Sequence, residues 1–329
     1  MRVVITGAAG FLGRLLTARL VQAGRLAGPD GSAQPVDALT LVDAGPLQVP
    51  DLAAGTAPPV DVRQVDVTDA AAVVDLLAGD EPLTVFHLAA MVSGACERDP
   101  DGAWAVNVEG TRNVLEAARH RAGPTRLVAT SSVAVYGHGA AGAVVDDDTR
   151  QVPATTYGMT KAAGELMVDD ATRKGFLDGR TARLPTVVVR PGAANAAASS
   201  FASAIVREPA AGRPYALPVP WDTPIAAIGY REVVDGLVAL HDLHGDVLGP
   251  DRALALPGVT VTPRDLYDAL VRHVGMRSLG DVTLDVDPVV RRIADGWPAA
   301  VTGSRARDLG FAASGGADTL VAAYLADFG

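Results

Sequence analysis

A chain of 329 residues, 49% hydrophobic and 20% charged, carries enough apolar material for one large core or a large and a small one, which excludes a disordered polymer. Its formal net charge of −10 repels polyanions, so no nucleic-acid partner is expected, and its single cysteine, Cys96, rules out an intrachain disulfide and fits a reducing compartment. Every apolar run is broken by a charge, glycine or proline before membrane-spanning length, and Met1-Arg2 leads straight into a strand-like run, so a cytoplasmic protein with no membrane partner is expected.

In chain order, "RVVIT" (Arg2 to Thr6) is a β-branched run that predicts a buried strand, and "FLGRLLTARLVQAG" (Phe11 to Gly24) has helical spacing and a terminal glycine. "RLAGPDGSAQPVDA" predicts a loop, and "LTLVD" a second strand ending at Asp43. There follow a strand in "VDVRQVDV", a helix from about Asp69, a strand in "LTVFHLAA", a helix over "NVEGTRNVLEAARH", a strand in "TRLVATSS", a helix in "TTYGMTKAAGEL" and a strand in "RTARLPTVVVRPG". Alternating strands and helices predict an α/β fold, a doubly wound parallel sheet covered on both faces. Past Gly192 the alternation stops, which predicts a division into residues 1–192, a Rossmann-type domain, and residues 193–329, mainly a smaller C-terminal α/β substrate lobe with segments free to return to the main sheet. The six histidines form no zinc-type cluster, "HDLH" (His241 to His244) reads as a solvated helix end, and no metal is expected.

"TGAAGFLG" sets Gly7, Gly10 and Gly13 between the first strand and its helix. The first permits a tight bend, the second a close approach to a pyrophosphate, and the third close helix packing. The N–H groups opening the helix, at Phe11, Leu12 and Gly13, would then meet the phosphates of a dinucleotide. Asp43, ending the second strand, can accept the ribose hydroxyls and would repel a 2′-phosphate, so NAD is expected over NADP. Asp66 and the N–H of Val67 are placed to reach the adenine. Tyr157 and Lys161 stand one helical turn apart. A phenol ordinarily near pKa 10 becomes a usable base when an ammonium and a positive nicotinamide favour its anion, and serines in "TSSVAVYG" can hold the substrate oxygen.

The glycine pattern, "HLAA" from His87, "NVEGTRNVLEA" from Asn107, "SSVAVYG" from Ser131, "YGMTK" from Tyr157 and "RPG" from Arg190 together resemble the extended short-chain dehydrogenase/reductase family. The resemblance implies Tyr157 as general base, Lys161 on the nicotinamide ribose, Ser132 on the substrate hydroxyl and Ser131 beside the cofactor. It also implies Leu88, Ala89, Ala90 and Pro191 along the cofactor, Asn107 supporting the lysine, and a homodimer paired through the Asn107 and Tyr157 helices. A helix-capping role for Asn107 is equally compatible.

"HLAAMVSGACERD", "KGFLDGRTARLPTVVVRPG", "NAAASSFASAIVREP" and "LPGVTVTPRDLYDAL" resemble, more narrowly, the D-erythronate dehydrogenase group of sugar-acid dehydrogenases. That implies oxidation of the C2 hydroxyl of a short aldonate, with Ser93, Asn195 and Ser199 facing the small-molecule substrate and Arg207 as carboxylate partner; a solvated helix position is the alternative for Arg207. Ala193 and the stretch Pro224 to Tyr230 depart from the group's pattern. Two other functions remain open at this point: a nucleotide-sugar epimerase or dehydratase, and a non-catalytic dinucleotide sensor.

Overall fold

The computed structural model describes residues 1–47, 58–192 and 198–329; the side chains of residues 138 and 139 also lie outside the description. Its first half runs β1 (Arg2–Thr6), α1 (Phe11–Ala23), β2 (Ala38–Asp43), β3 (Val60–Gln64), α2 (Ala70–Leu77), β4 (Leu83–His87), α3 (Ser93–Arg98), α4 (Gly110–Arg119), β5 (Thr125–Ser132), α5 (Thr156–Arg173) and β6 (Asp178–Leu184). β7 (Thr186–Val188), α6 (Ser200–Ala210), β8 (Ile225–Gly229), α7 (Tyr230–Asp242), β9 (Ala253–Ala255), β10 (Val259–Val261) and α8 (Ala317–Phe328) follow, with shorter elements between.

Seven strands form one parallel sheet in the order β9-β6-β5-β4-β1-β2-β3. The order reverses between β1 and β4, the place where an open α/β sheet offers a crevice at its carboxyl edge. Burial on both faces explains the unbroken apolar strands. Val3 and Ile5 of β1 meet Leu16 and Leu20 of α1 and Val233, Leu237 and Leu240 of α7. Val4, one residue out of phase, turns to the opposite face with Val85, Leu127, Val114 and Val168. Each such side chain contributes about 1.5–3 kcal/mol by leaving water.

Three local features differ from the sequence expectation. The Gly/Pro-rich segment after α1 is a hairpin, Arg25–Ala27 pairing antiparallel with Ala33–Pro35, because "GPDGS" supplies a turn as well as an interruption. The apolar run after α5 is two strands. Pro185 has no N–H for the ladder, and beyond it β7 leaves the main sheet to pair with β8, which pairs antiparallel with β10. His241 is not solvated: it is fully buried on the sheet-facing side of α7, Nε2 within 2.9 Å of Thr84 Oγ1 and Nδ1 within 2.7 Å of Asp242, whereas Asp242 and His244 at the helix end are exposed. Residues 230–256, beyond the sequence division, supply α7 and β9 to the large core and sheet. A second core around Val188, Phe201, Ile205, Leu266 and Val321 holds the smaller sheet.

Candidate functional site

The turn after β1 shows why its glycines are needed. Gly7 has φ 72°, and a Cβ there would lie 2.6 Å from Ala89 N and 2.7 Å from Leu88 C; at Gly13 a Cβ would lie 2.4 Å from Gly7 O. The first bond within α1 is Arg14 N–H to Gly10 O at 3.0 Å, so the N–H groups of Phe11, Leu12 and Gly13 have no intrahelical partner. The rest of Phe11 is structural: its ring packs edge-on against Tyr230 with centroids 5.5 Å apart, and the Leu12 side chain joins the core.

A cavity of about 250 Å³ opens over this turn. Gly7, Gly10, Asp43, Asp66, Val67, Leu88, Ala89 and Ala90 line it. Thr6, Val42, Ala44, Val65, Met91 and Val106 complete it, residues the sequence reading did not single out because they carry no motif. Phe11, Leu12, Gly13, Ser131 and Pro191 are not part of its wall. Asp43 accepts from Ala9 N at 3.0 Å on Oδ2 and from Gly45 N at 3.1 Å on Oδ1, so its carboxylate also holds the glycine turn in place. Asp66 Oδ1 accepts from Thr68 N and Thr68 Oγ1, both at 2.9 Å.

Next to this groove, at the end of β5, side chains alternate. Ser131 is buried, its Oγ unpartnered among the described residues, while half-buried Ser132 accepts Ala134 N at 3.2 Å. Thr155 caps α5 by accepting Gly158 N at 3.0 Å, which presents Tyr157 and Lys161 on one face. Lys161 Nζ lies 5.8 Å from the Tyr157 ring centre but donates to Thr130 O at 2.9 Å. Burial lowers the Lys161 ammonium to about 8. Burial also pushes the Tyr157 phenol up, and the cation that opposes this is Arg190, helped by the Ser132 hydroxyl. The ammonium thus turns to a carbonyl of β5 while it stays near the phenol ring.

Asn107 is not a helix cap. It lies in a π-type turn, Trp104–Glu109, that widens the helix ahead of α4. Its amide accepts Met91 N at 2.8 Å and donates to Met91 O at 3.2 Å and to Thr160 Oγ1 at 3.1 Å, tying the groove wall to the residue before Lys161. His87, between Thr6 Oγ1 at 2.8 Å and Thr111 Oγ1 at 3.1 Å, is lowered to about 3 by burial and by Lys161, and so stays neutral. Behind α5, Glu165 binds Arg183 through three contacts of 2.8–3.1 Å. The only signal for that pair in the sequence was a glutamate one turn after the lysine.

Ser93 Oγ accepts Ala198 N at 3.4 Å, which brings the start of α3 to the segment leading into α6; Ser199 precedes that helix without capping it. Ala193 and Asn195 lie outside the described residues. Arg207 is neither solvated nor directed at Tyr157. It is 4% exposed, with Nε on Glu208 Oε1 at 2.8 Å and Nη1 on the Arg190 carbonyl at 3.1 Å. An arginine following an apolar helix run is drawn inward when an adjacent glutamate partners it, and Glu208 does so. Tyr230, at a position where the sequence departs from the sugar-acid group, sends its hydroxyl to Ala323 O at 2.9 Å and Asp327 at 2.6 Å, into the fold.

The family described as "NAD dependent epimerase/dehydratase family" matches residues 3–226. The chain belongs to that family. A D-erythronate dehydrogenase of Cupriavidus necator is 43% identical over 329 residues, covering 100% of this chain and 99% of the relative. A second, from Haemophilus influenzae, is 33% identical over 311 residues, 94% of each chain. Among solved structures, the nucleoside-diphosphate-sugar epimerase of Agrobacterium tumefaciens superposes with a TM-score of 0.89 at 35% identity, covering 100% of this chain and 94% of that one. The protein is an NAD-dependent oxidoreductase of this family, and NAD is its cofactor. The groove fits that cofactor: Gly7 and Gly13 leave no room for a Cβ, unpaired N–H groups open α1, and a carboxylate ends β2. Among the described residues, no helix is long and apolar enough to cross a membrane.

Proposed function

We propose that this protein oxidises the C2 hydroxyl of a short sugar acid, D-erythronate or a close analogue, to the 2-keto acid. The observation that carries the reading is full-length likeness to two D-erythronate dehydrogenases, joined to Ser132, Tyr157 and Lys161 at the sheet's carboxyl edge. Ser132 holds the substrate hydroxyl, and Tyr157 takes its proton as general base. NAD, when bound, accepts the hydride from C2. Lys161 holds the nicotinamide ribose, with Asn107 fixing α5 through Thr160. The turn at Gly7, Gly10 and Gly13, with the N–H groups of Phe11 and Leu12, receives the pyrophosphate, and Asp43 the adenosine ribose. Asp66 and Val67 flank the adenine, and Leu88, Ala89, Ala90, Ser131 and Pro191 border the remaining cofactor. Ser93, Ser199 and Asn195 face the acid. In this reading residues 1–192 bind the cofactor and residues 193–329 supply most of the substrate lobe.

Exposed Trp104, Met159 and Leu166, on the π-type turn and α5, support pairing of two copies through these helices in the cytoplasm. Sedimentation at micromolar concentration tests the pairing, and a monomer would contradict it. A panel of four- to six-carbon aldonates with NAD, followed by NADH absorbance, tests the reaction. Turnover of D-erythronate is the expected result. The Agrobacterium likeness keeps a nucleotide-sugar epimerase as the second reading, and conversion of a UDP-sugar to its epimer without net NADH, with no aldonate oxidised, would establish it instead.

A further inference from the structure

A second cavity, of about 230 Å³, lies at the amino edge of the main sheet, away from the carboxyl edge that carries the NAD groove. The opening residues of β4, β5 and β6 (Leu83, Thr125 and Asp178) line it, together with Ala27 of the hairpin after α1 and His241 of α7. It shares no lining residue with the NAD groove. The length of β1, Arg2 to Thr6, stands between this edge and the Gly7 turn, about 16 Å at ~3.3 Å per residue. At ~30 Å³ per water its volume is that of roughly seven waters, room for a molecule of a few carbons.

Arg126, also in the lining, is fixed there by three bonds: Nε donates to Asp178 Oδ2 at 3.0 Å, and Nη1 to the carbonyls of Ala27 at 3.2 Å and His241 at 3.0 Å. These set the plane of the guanidinium and leave Nη2 without a protein acceptor among the described residues. Asp178 does not belong to Arg126 alone, since Arg180 reaches its Oδ2 and Arg252 its Oδ1 at 2.6 Å. One carboxylate is thus shared by three guanidinium groups. The other acid in contact, Asp242, is exposed and already accepts Ala27 N at 2.8 Å. Independently of charge, Thr125 is 6% exposed and its buried Oγ1 has no partner among the described residues, a desolvated hydroxyl that a ligand oxygen would satisfy. The rest of the lining includes Pro29, Pro82, Leu83 and Pro124 and is apolar. An N–H of a cation and a hydroxyl beside an apolar lining match the head and tail of a short carboxylate; a phosphate dianion would ask for more donors and no apolar wall.

We infer that the amino edge of the sheet holds a second ligand site, separate from the NAD groove, for a short aliphatic monocarboxylate bound by Arg126 Nη2 and Thr125 Oγ1 with its alkyl end against the prolines. Methionine methyl resonances of the full-length, NADH-saturated protein test it, because Met1 lines this cavity and Met91 the NAD groove. Butyrate is the ligand to titrate. It should shift the Met1 methyl saturably, with a dissociation constant on the order of 1 mM, and leave Met91 in place. Butyramide, of the same shape without the charge, should bind about ten- to a hundredfold more weakly, the range of a charge-assisted bond. Arg126→Gln should cost butyrate the same factor, Thr125→Val roughly two- to tenfold, and Ala27→Leu, which fills the cavity, should abolish the shift. NADH affinity should stay within about twofold in all three. A shift of Met91 in place of Met1, no response of Met1 at about ten times the expected dissociation constant, or equal binding of butyrate and butyramide overturns the site. Inorganic phosphate that displaces butyrate and binds more tightly overturns the carboxylate assignment. Should Arg126→Gln fail to fold, a folded Ala27→Leu or Thr125→Val that binds butyrate as wild type does overturns the proposal.

Discussion

The groove over Gly7 and the cleft around Tyr157 share one edge of one sheet and are built by different routes. The groove is largely backbone: a left-handed glycine, N–H groups at the start of α1, and a carboxylate that ties itself to Ala9 and Gly45. The cleft is side chains delivered by separate segments, with charges set by burial, so that phenol, ammonium and guanidinium all depart from their ordinary acidities. Backbone geometry tolerates distant substitution, whereas electrostatics in a half-buried cleft responds to every neighbouring charge.

The largest effect that separates the two regions is expected from Tyr157→Phe. It should lower kcat by about 10²–10⁴-fold and leave NAD affinity, measured by calorimetry, nearly unchanged. Comparable loss of both would mean that cleft and groove are not independent. On the groove side, Asp43→Asn keeps an acceptor for the turn but removes the charge that repels a 2′-phosphate. Discrimination against NADP, expected to be on the order of a hundredfold in kcat/KM, should fall below about tenfold; an unchanged ratio would take Asp43 out of cofactor selection.

A smaller effect is expected from pH. Lys161 keeps its proton only to about pH 8, so NAD affinity should fall several-fold (roughly three- to tenfold) between pH 7 and 9, and Lys161→Met should show no such fall. Stability moves the other way. The folded-state value lies below the ordinary 10.5, the unfolded chain binds more protons between about 8 and 10.5, and this group's contribution to stability therefore rises with pH across that window. The smallest kinetic effect is assigned to Arg207→Met. Losing the pair with Glu208, which keeps Arg213 at 2.7 Å, should cost about 1–2 kcal/mol and lower Tm by roughly 3–6 °C, with KM for the acid within about twofold of wild type. A large rise in KM would return Arg207 to the substrate.

How much was legible follows the same division. Strand-helix alternation and the glycine spacing are local properties of consecutive residues, fixed by steric limits on φ and by the period of buried side chains, so the parallel sheet and the glycine turn after β1 follow from the sequence, whereas the strand order does not. Tyr157 and Lys161 could be placed on one face because helical spacing is also local. Pro185 was visible as a residue, but the sequence did not show that the chain changes sheets there, nor that 230–256 returns to the first sheet, since strand pairing joins residues far apart. The sequence reading offered Arg207 as carboxylate partner or as a solvated helix position, and named Arg190 only as the start of "RPG". Only the tertiary structure shows Arg207 buried against Glu208 and the Arg190 carbonyl, because a charge takes its surroundings from whatever folds against it.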